Sequence, residues 1–327
     1  MAKRILVIGT GGTIAMSAGE GGLLPSRTAG DLLGAIAELI PGVEVRAIDP
    51  FNKPSANIGF SDVADIAGLI GREAAAGADG VVLVQGTDTI EETAFALELL
   101  TAERLPLVVT GAMRGASSLG ADGPANLAGA IMAARDCPPG MGVIVLLNDE
   151  AHAARWVHKA HTTALNAFSS GEAGLLGRIH EGAFLVANAS LSPLDLPVTA
   201  LGQPWPRIAL VRIAMGDDGA LLLALPQLGF EGCVIEAMGA GHVPAILAPM
   251  IEKLAAQMPV VLASRAGAGR VCARTYAYAG SETDLIRRGV IPAAGISGLK
   301  ARVLLAVCLR QRGKDGPNAF LRLAALI

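Results

Sequence analysis

Aromatic residues are scarce in this 327-residue chain: Phe, Trp and Tyr together make up 3%, with 2 Trp and 2 Tyr. A core built on ring stacking is excluded. The interior must be filled by Ala, Val, Leu and Ile, with close backbone approaches at some of the 41 glycines. Charge is also sparse, at 17% of residues and a net −3. There is no Lys/Arg block and no interleaving of basic with aromatic residues, so nucleic-acid binding is not expected. The 4 cysteines, Cys137, Cys233, Cys272 and Cys308, include no C-x-x-C pair and read as reduced, small apolar packers. Mean hydropathy is high, +0.51. The long uncharged stretches, such as Ala237–Ile251, are nevertheless broken by Gly, His and Pro. They fall short of the roughly 18 apolar residues that a membrane span needs. The chain passes from Met1 to a strand-like run at Ile5 with no apolar signal region between, so a cytoplasmic location is expected.

What the chain has is length and apolar periodicity. Apolar residues make up 52%, and the length suggests two domains at roughly 150 residues each. Short apolar runs of strand length (Ile5–Ile8, Val81–Val84, Leu107–Val109, Val143–Leu147) and the strand-like Val43–Ile48 alternate with helical spacing. The helical stretches are Leu32–Ile40, Val63–Ile70 (capped by Ser61 or Asp62), Thr89–Leu100 (Thr89 and Glu92 in a capping-box relation) and Asp122–Ala134. This alternation predicts an α/β fold, with a parallel-type sheet flanked by helices on both faces. The segment "NASLSPLDLPVTALGQPWP" reads as a linker, after which a smaller α/β pattern resumes. The expected division is an N-terminal domain over 1–188, a linker over 189–206 and a C-terminal domain over 207–327.

The first strand ends in Gly9-Thr10-Gly11-Gly12-Thr13. A dinucleotide fingerprint needs a third glycine where Ile14 stands, and no basic anchor follows as in a P-loop. A cofactor-phosphate cradle is therefore not expected. A ligand loop at the C-terminal end of a parallel strand fits better, with Thr13 offering a hydroxyl. The design recurs at Gly86-Thr87-Asp88-Thr89 and at Thr110-Gly111-Ala112-Met113-Arg114. His152, His158 and His161 match no metal-binding spacing, and a polar surface loop is the simpler account of them.

The segments "IGTGGTIAM", "VVLVQGTDTIEETAFALELL", "PLVVTGAMR", "SSLGADGPANL" and "GLKARVLL" occur in this order over nearly the whole chain. Together they resemble the bacterial-type L-asparaginase/glutaminase family. The resemblance implies hydrolysis of L-asparagine to L-aspartate and ammonia, without metal or organic cofactor. It implies a homodimer or homotetramer with shared active sites, acting on a small amino-acid amide.

By that resemblance Thr13 is the nucleophile that forms an acyl-enzyme, and Thr87, Asp88 and Lys159 make up a second catalytic group. A threonine hydroxyl needs a base, and a lysine serves as one only when desolvated. Ser55 is implied to grip the substrate α-carboxylate, Asp88 and Glu282 to hold the α-ammonium, and the Ala112 carbonyl to accept from the leaving amide. Glu282 is implied to come from the neighbouring subunit.

Three positions depart from the family pattern. A loop tyrosine after the first strand is replaced by Leu23, and the only tyrosines are Tyr276 and Tyr278. One of these is expected to reach the site from the partner chain. Ala56 stands for a usual glutamine and His242 for a usual asparagine. The alternatives are a mixed asparaginase–glutaminase, an amidohydrolase tolerant of D-asparagine, or a binding protein whose catalysis went with the loop tyrosine.

Overall fold

The computed structural model describes residues 2–12, 16–19, 22–25, 28–34, 36, 40–101, 105–188, 194, 196 and 203–327. It forms two units, Met1–Asp195 and Leu196–Ile327. Most of the expected linker, 189–193, 195 and 197–202, lies outside the described residues.

In the first unit the strands are β1 (Lys3–Gly9), β2 (Met16–Gly19), β3 (Gly22–Pro25), β4 (Val43–Ile48), β5 (Gly80–Val84), β6 (Leu107–Thr110), β7 (Val143–Leu147), β8 (Glu150–Ala153), β9 (His158–Lys159), β10 (Phe168–Ser169), β11 (Gly177–His180) and β12 (Ala183–Val186). The helices are α1 (Ala29–Gly34), α2 (Phe60–Ala75), α3 (Ile90–Leu100) and α4 (Gly123–Asp136). Eight strands form one sheet in the order β12-β11-β8-β7-β6-β5-β1-β4. The run from β4 to β7 is parallel and the run from β7 to β12 antiparallel.

The continuous apolar runs are central strands buried on both faces, as parallel sheets require. Ile5, Val7, Val82 and Val84 share a core with Leu127 and Ile131 of α4. The intervening Leu6, Ile8, Val81 and Leu83 are equally buried. Burying each such side chain contributes about 1.5–3 kcal/mol. Because β1 pairs with β4 on one side and β5 on the other, the strand order reverses there. The ends of β1, β5 and β6 therefore lie side by side. Thr10 N–H donates to the Val84 carbonyl (3.0 Å), and Gln85 N–H to the Thr110 carbonyl (3.0 Å).

Several local expectations are corrected. α2 starts at Phe60 with Gly59 as N-cap, and Asp62 reaches back from the first turn to accept from Gly59 N–H at 3.0 Å. Thr87–Thr89 is a 3₁₀ turn before α3, and Thr89 makes no side-chain cap. Its hydroxyl donates instead to the Ser55 carbonyl at 3.0 Å. Of the three histidines expected on a surface loop, only His161 lies on one; His152 and His158 stand on strands β8 and β9. Asn148 and Asp149 adopt positive φ (52° and 60°) and close a two-residue hairpin between β7 and β8. His152 on β8 is buried, with Nδ1 at 2.9 Å from Ser170 Oγ.

The second unit holds four parallel strands, β13 (Ile208–Arg212), β14 (Gly232–Ala237), β15 (Val260–Ser264) and β16 (Ile291–Pro292), in chain order. Its helices are α5 (Ala220–Ala224), α6 (Ala248–Ala255), α7 (Glu282–Arg287), α8 (Gly298–Arg312) and α9 (Gly316–Ala324). Ser281 Oγ caps α7 and Ser297 Oγ caps α8. No helix among the described residues is long and apolar enough to cross a membrane.

Candidate functional site

The 3₁₀ turn after β5 presents Thr87 and Asp88 at the sheet's C-terminal edge. Lys159 on β9 meets both, its Nζ lying 2.9 Å from Thr87 Oγ1 and 3.1 Å from Asp88 Oδ1. The second carboxylate oxygen of Asp88 accepts from Ser55 Oγ at 3.1 Å, and Asp88 N–H donates back to the same hydroxyl at 3.2 Å. Ser55, Thr87, Asp88 and Lys159 are thus one hydrogen-bonded chain drawn from three separate segments. The geometry runs from inside to outside. Ser55 and Thr87 are buried, the Lys159 side chain is 17% exposed, and the Asp88 carboxylate is 65% exposed.

Chemically this is a hydroxyl against an amine, with a carboxylate to orient the amine. A proton can pass along the 2.9 Å line between Thr87 and Lys159. Ser55, by bonding Asp88 twice, fixes how the carboxylate faces Lys159.

The neighbouring loops are shaped to crowd this group. Gly12 has φ +91°, and a side-chain carbon there would collide with the Gly86 backbone nitrogen. Only glycine lets the β1 loop press on the β5 loop. Gly111 lets the β6 loop press on the β5 loop, since a Cβ there would sit 2.5 Å from the Gln85 carbonyl oxygen. Ala112 follows in the same loop, fully buried. Its flanks are held by α4: Asn126 Nδ2 donates to the Gly111 carbonyl (2.9 Å), and Met113 N–H donates to Asp122 Oδ2 (2.9 Å). Asn126 also accepts from Asn148 N–H (2.9 Å), so it ties the β6 loop to the β7–β8 turn. Sequence reasoning assigned Asn126 no role, although it stands one helical turn after Asp122 within a segment already singled out.

Thr13 lies outside the described residues, as does the side chain of Leu23. Among the described residues no three His, Cys, Asp or Glu side chains gather into a metal site.

Glu282, Tyr276, Tyr278 and His242 come together in the second unit. Glu282 is fully buried, and its Oε1 accepts from Thr275 N–H (2.9 Å) and Tyr276 N–H (2.8 Å). Its Oε2 lies 3.4 Å from His242 Nε2. Burial pushes the carboxyl upward, but the N–H groups of Tyr276, Thr275 and Glu282 itself, with His242, outweigh it and hold it below its ordinary 4.5. His242 packs edge-on against Tyr276 (4.7 Å between centroids) and Tyr278 (5.4 Å). Both tyrosines are exposed.

Comparison with known proteins agrees with the motif order. Residues 4–191 match the family model "Asparaginase, N-terminal", and residues 207–318 match "Glutaminase/Asparaginase C-terminal domain". The chain is 35% identical to an L-asparaginase of Bacillus licheniformis, covering 94% of this chain and 96% of that one. It is 38% identical to a probable L-asparaginase of Deinococcus radiodurans, covering 94% and 92%. It is 29% identical to a subunit of the glutamyl-tRNA(Gln) amidotransferase of Methanosarcina barkeri, covering 88% of this chain and 70% of that one. The crystal structure of a probable cytoplasmic L-asparaginase from Campylobacter jejuni superposes with a TM-score of 0.88, at 30% identity and 99% coverage of both chains.

Proposed function

The chain belongs to the asparaginase family and is an amidohydrolase, and from that premise we propose that it hydrolyses L-asparagine to L-aspartate and ammonia. The observation that carries this reading is Lys159 Nζ seated between Thr87 Oγ1 and Asp88 Oδ1. In the first half-reaction the Thr13 hydroxyl attacks the side-chain amide carbon. Ammonia leaves with the proton taken from the hydroxyl, and a threonyl ester remains. In the second, water cleaves the ester, and the threonine proton is restored. Thr87 and Lys159 carry the protons in this scheme, and Asp88 orients Lys159.

Substrate placement follows from the same neighbourhood. Ser55 takes the α-carboxylate, Asp88 the α-ammonium, and the Ala112 carbonyl accepts from the departing amide. Glu282 of a second copy completes the ammonium site, so the working species is a homodimer or homotetramer, with Tyr276 or Tyr278 standing in for the tyrosine that Leu23 replaces. The match of residues 207–318 to a glutaminase/asparaginase C-terminal domain favours a second reading, a mixed asparaginase–glutaminase.

The test is ammonia release by the purified protein from L-Asn, L-Gln and D-Asn in parallel. A kcat/KM for L-Asn well above the other two supports the assignment. Comparable values for L-Gln or D-Asn replace it with the broader enzyme. No release, with L-aspartate still raising Tm, makes the chain a binding protein.

A further inference from the structure

Lys159 is held by little regular structure. Among the described residues β9 pairs only with β10, in a two-stranded ribbon separate from the eight-stranded sheet. A long, flexible amine on such a ribbon does not by itself keep a 2.9 Å line to a buried hydroxyl. Two carboxylates of α3 reach this segment. Glu98 Oε1 accepts from Arg155 Nε at 2.7 Å and lies 2.6 Å from its terminal nitrogen. Glu91 Oε1 lies 3.4 Å from the backbone N–H of Lys159. Glu91 and Glu98 are seven residues apart, which places them on one face of the helix, two turns from each other. Arg155 lies in the turn between β8 and β9, four residues before Lys159.

The Glu98–Arg155 pair is almost wholly enclosed, its side chains 5% and 2% exposed. An enclosed ion pair is a poor source of net stability, because an apolar pair of like volume serves as well. What it supplies is position: a guanidinium fork fixes direction as well as distance. The helix that receives it, α3, follows directly on the 3₁₀ turn carrying Thr87 and Asp88. One helix therefore carries the hydroxyl at its start and holds the amine-bearing strand along its side.

We propose that Glu98 and Arg155 are positioning residues that fix Lys159 against Thr87, with Glu91 steadying the backbone at the amine. The proposal rests on the reading of Lys159 as the proton carrier. Neither side chain touches substrate, so substrate affinity should survive their loss while turnover does not.

The experiment compares wild type, Glu98→Gln/Arg155→Met, Arg155→Lys and Lys159→Met in asparagine hydrolysis. The double variant removes both charges and leaves no buried ion unpaired. Arg155→Lys keeps the charge but loses the fork, and it serves if the double variant does not fold. The folded double variant, or Arg155→Lys in its place, should lose about 10- to 100-fold in kcat with KM within about twofold, as expected for a misplaced catalytic group. Its kcat–pH profile should also shift, which a merely structural pair would not cause. A folded variant with wild-type kcat and pH profile overturns the proposal, and if Lys159→Met is inactive the reading of Lys159 still stands. Full activity of Lys159→Met overturns that reading, and the positioning role falls with it.

Discussion

Lys159 Nζ and Thr87 Oγ1 meet at 2.9 Å although 72 residues separate them in the chain. The same amine touches Asp88, so it joins a buried hydroxyl to a carboxylate that faces solvent. If this line moves protons, Thr87→Val and Lys159→Met should each lower kcat for L-asparagine by about 100- to 10,000-fold. Val keeps the shape of Thr and Met the length of Lys, so Tm should change little. Steady-state kinetics beside a thermal melt decide it: turnover within tenfold of wild type in either variant rules the line out.

Ser55 acts on the carboxylate end. Its hydroxyl bonds both Asp88 Oδ2 and Asp88 N–H, and it is buried. Ser55→Ala should raise KM for L-asparagine by about 10- to 100-fold, the worth of a hydrogen bond to a charged group. The effect on kcat should be smaller. A loss seen only in kcat would move Ser55 from substrate placement to the proton path.

Legibility from sequence divides along physical lines. Of the five parallel strands, β1, β5, β6 and β7 were readable because strands buried on both faces are continuous apolar runs, whereas β4, the edge strand VEVRAI, shows instead an alternation of half-buried with exposed residues. The hairpin strands carry a weaker signal: "RIHEGAF" reads as a hairpin about His180, which does pair with Ala183 across β11 and β12, but β8 has no strand signal. EAHA of β8 and GRIH of β11 are partly polar and carry no clear period, and the Asn148-Asp149 turn lacks the glycine that advertises a two-residue hairpin. The group of Ser55, Thr87, Asp88 and Lys159 was legible as a set because each sits in a motif of the family. Asn126, Glu98 and Arg155 were not, because their roles are to hold neighbours, and a holding contact leaves no local pattern. His152 reads as part of a surface loop and is core, where the Ser170 hydroxyl, 18 residues on, bonds its buried imidazole.

Gly12 offers a test of the site's framework. A methyl group there meets the Gly86 nitrogen, and φ is +91°. Strain of this kind costs about 1–3 kcal/mol. Gly12→Ala should lower Tm by roughly 3–10 °C for a unit of this size and weaken turnover as the β5 loop is displaced. A variant with unchanged Tm and kcat would show that the two loops have room to part.

The cysteines divide three to one. Cys137, Cys233 and Cys308 are buried, and burial pushes their thiols up to about 11, 12 and 12 respectively. Cys272 is half-buried. The native protein at pH 8 should therefore give at most one fast equivalent with a thiol reagent, and four after denaturation. Two or more fast equivalents would mean that one of the cores opens readily.

The buried carboxylate of Glu282 should show itself in stability against pH. Its folded pKa lies below the ordinary 4.5 despite burial, because the N–H groups of Tyr276 and Thr275 favour the ionised form. A depressed carboxylate contributes stability that is complete above its unfolded pKa and is lost as pH falls through the folded one. Asp284, two residues on, is depressed as well, chiefly by Gly280 N–H, with Arg288 and Arg287 adding to it. Glu282→Gln leaves that second contribution in place and removes the first. The variant should be less stable than wild type at pH 7, and the gap should narrow as pH falls below about 4.5. Denaturant midpoints at about pH 7 and pH 3 measure it. A gap of equal size at both values would mean that Glu282→Gln costs packing or hydrogen bonds alone, and that the ionised carboxylate contributes nothing of its own.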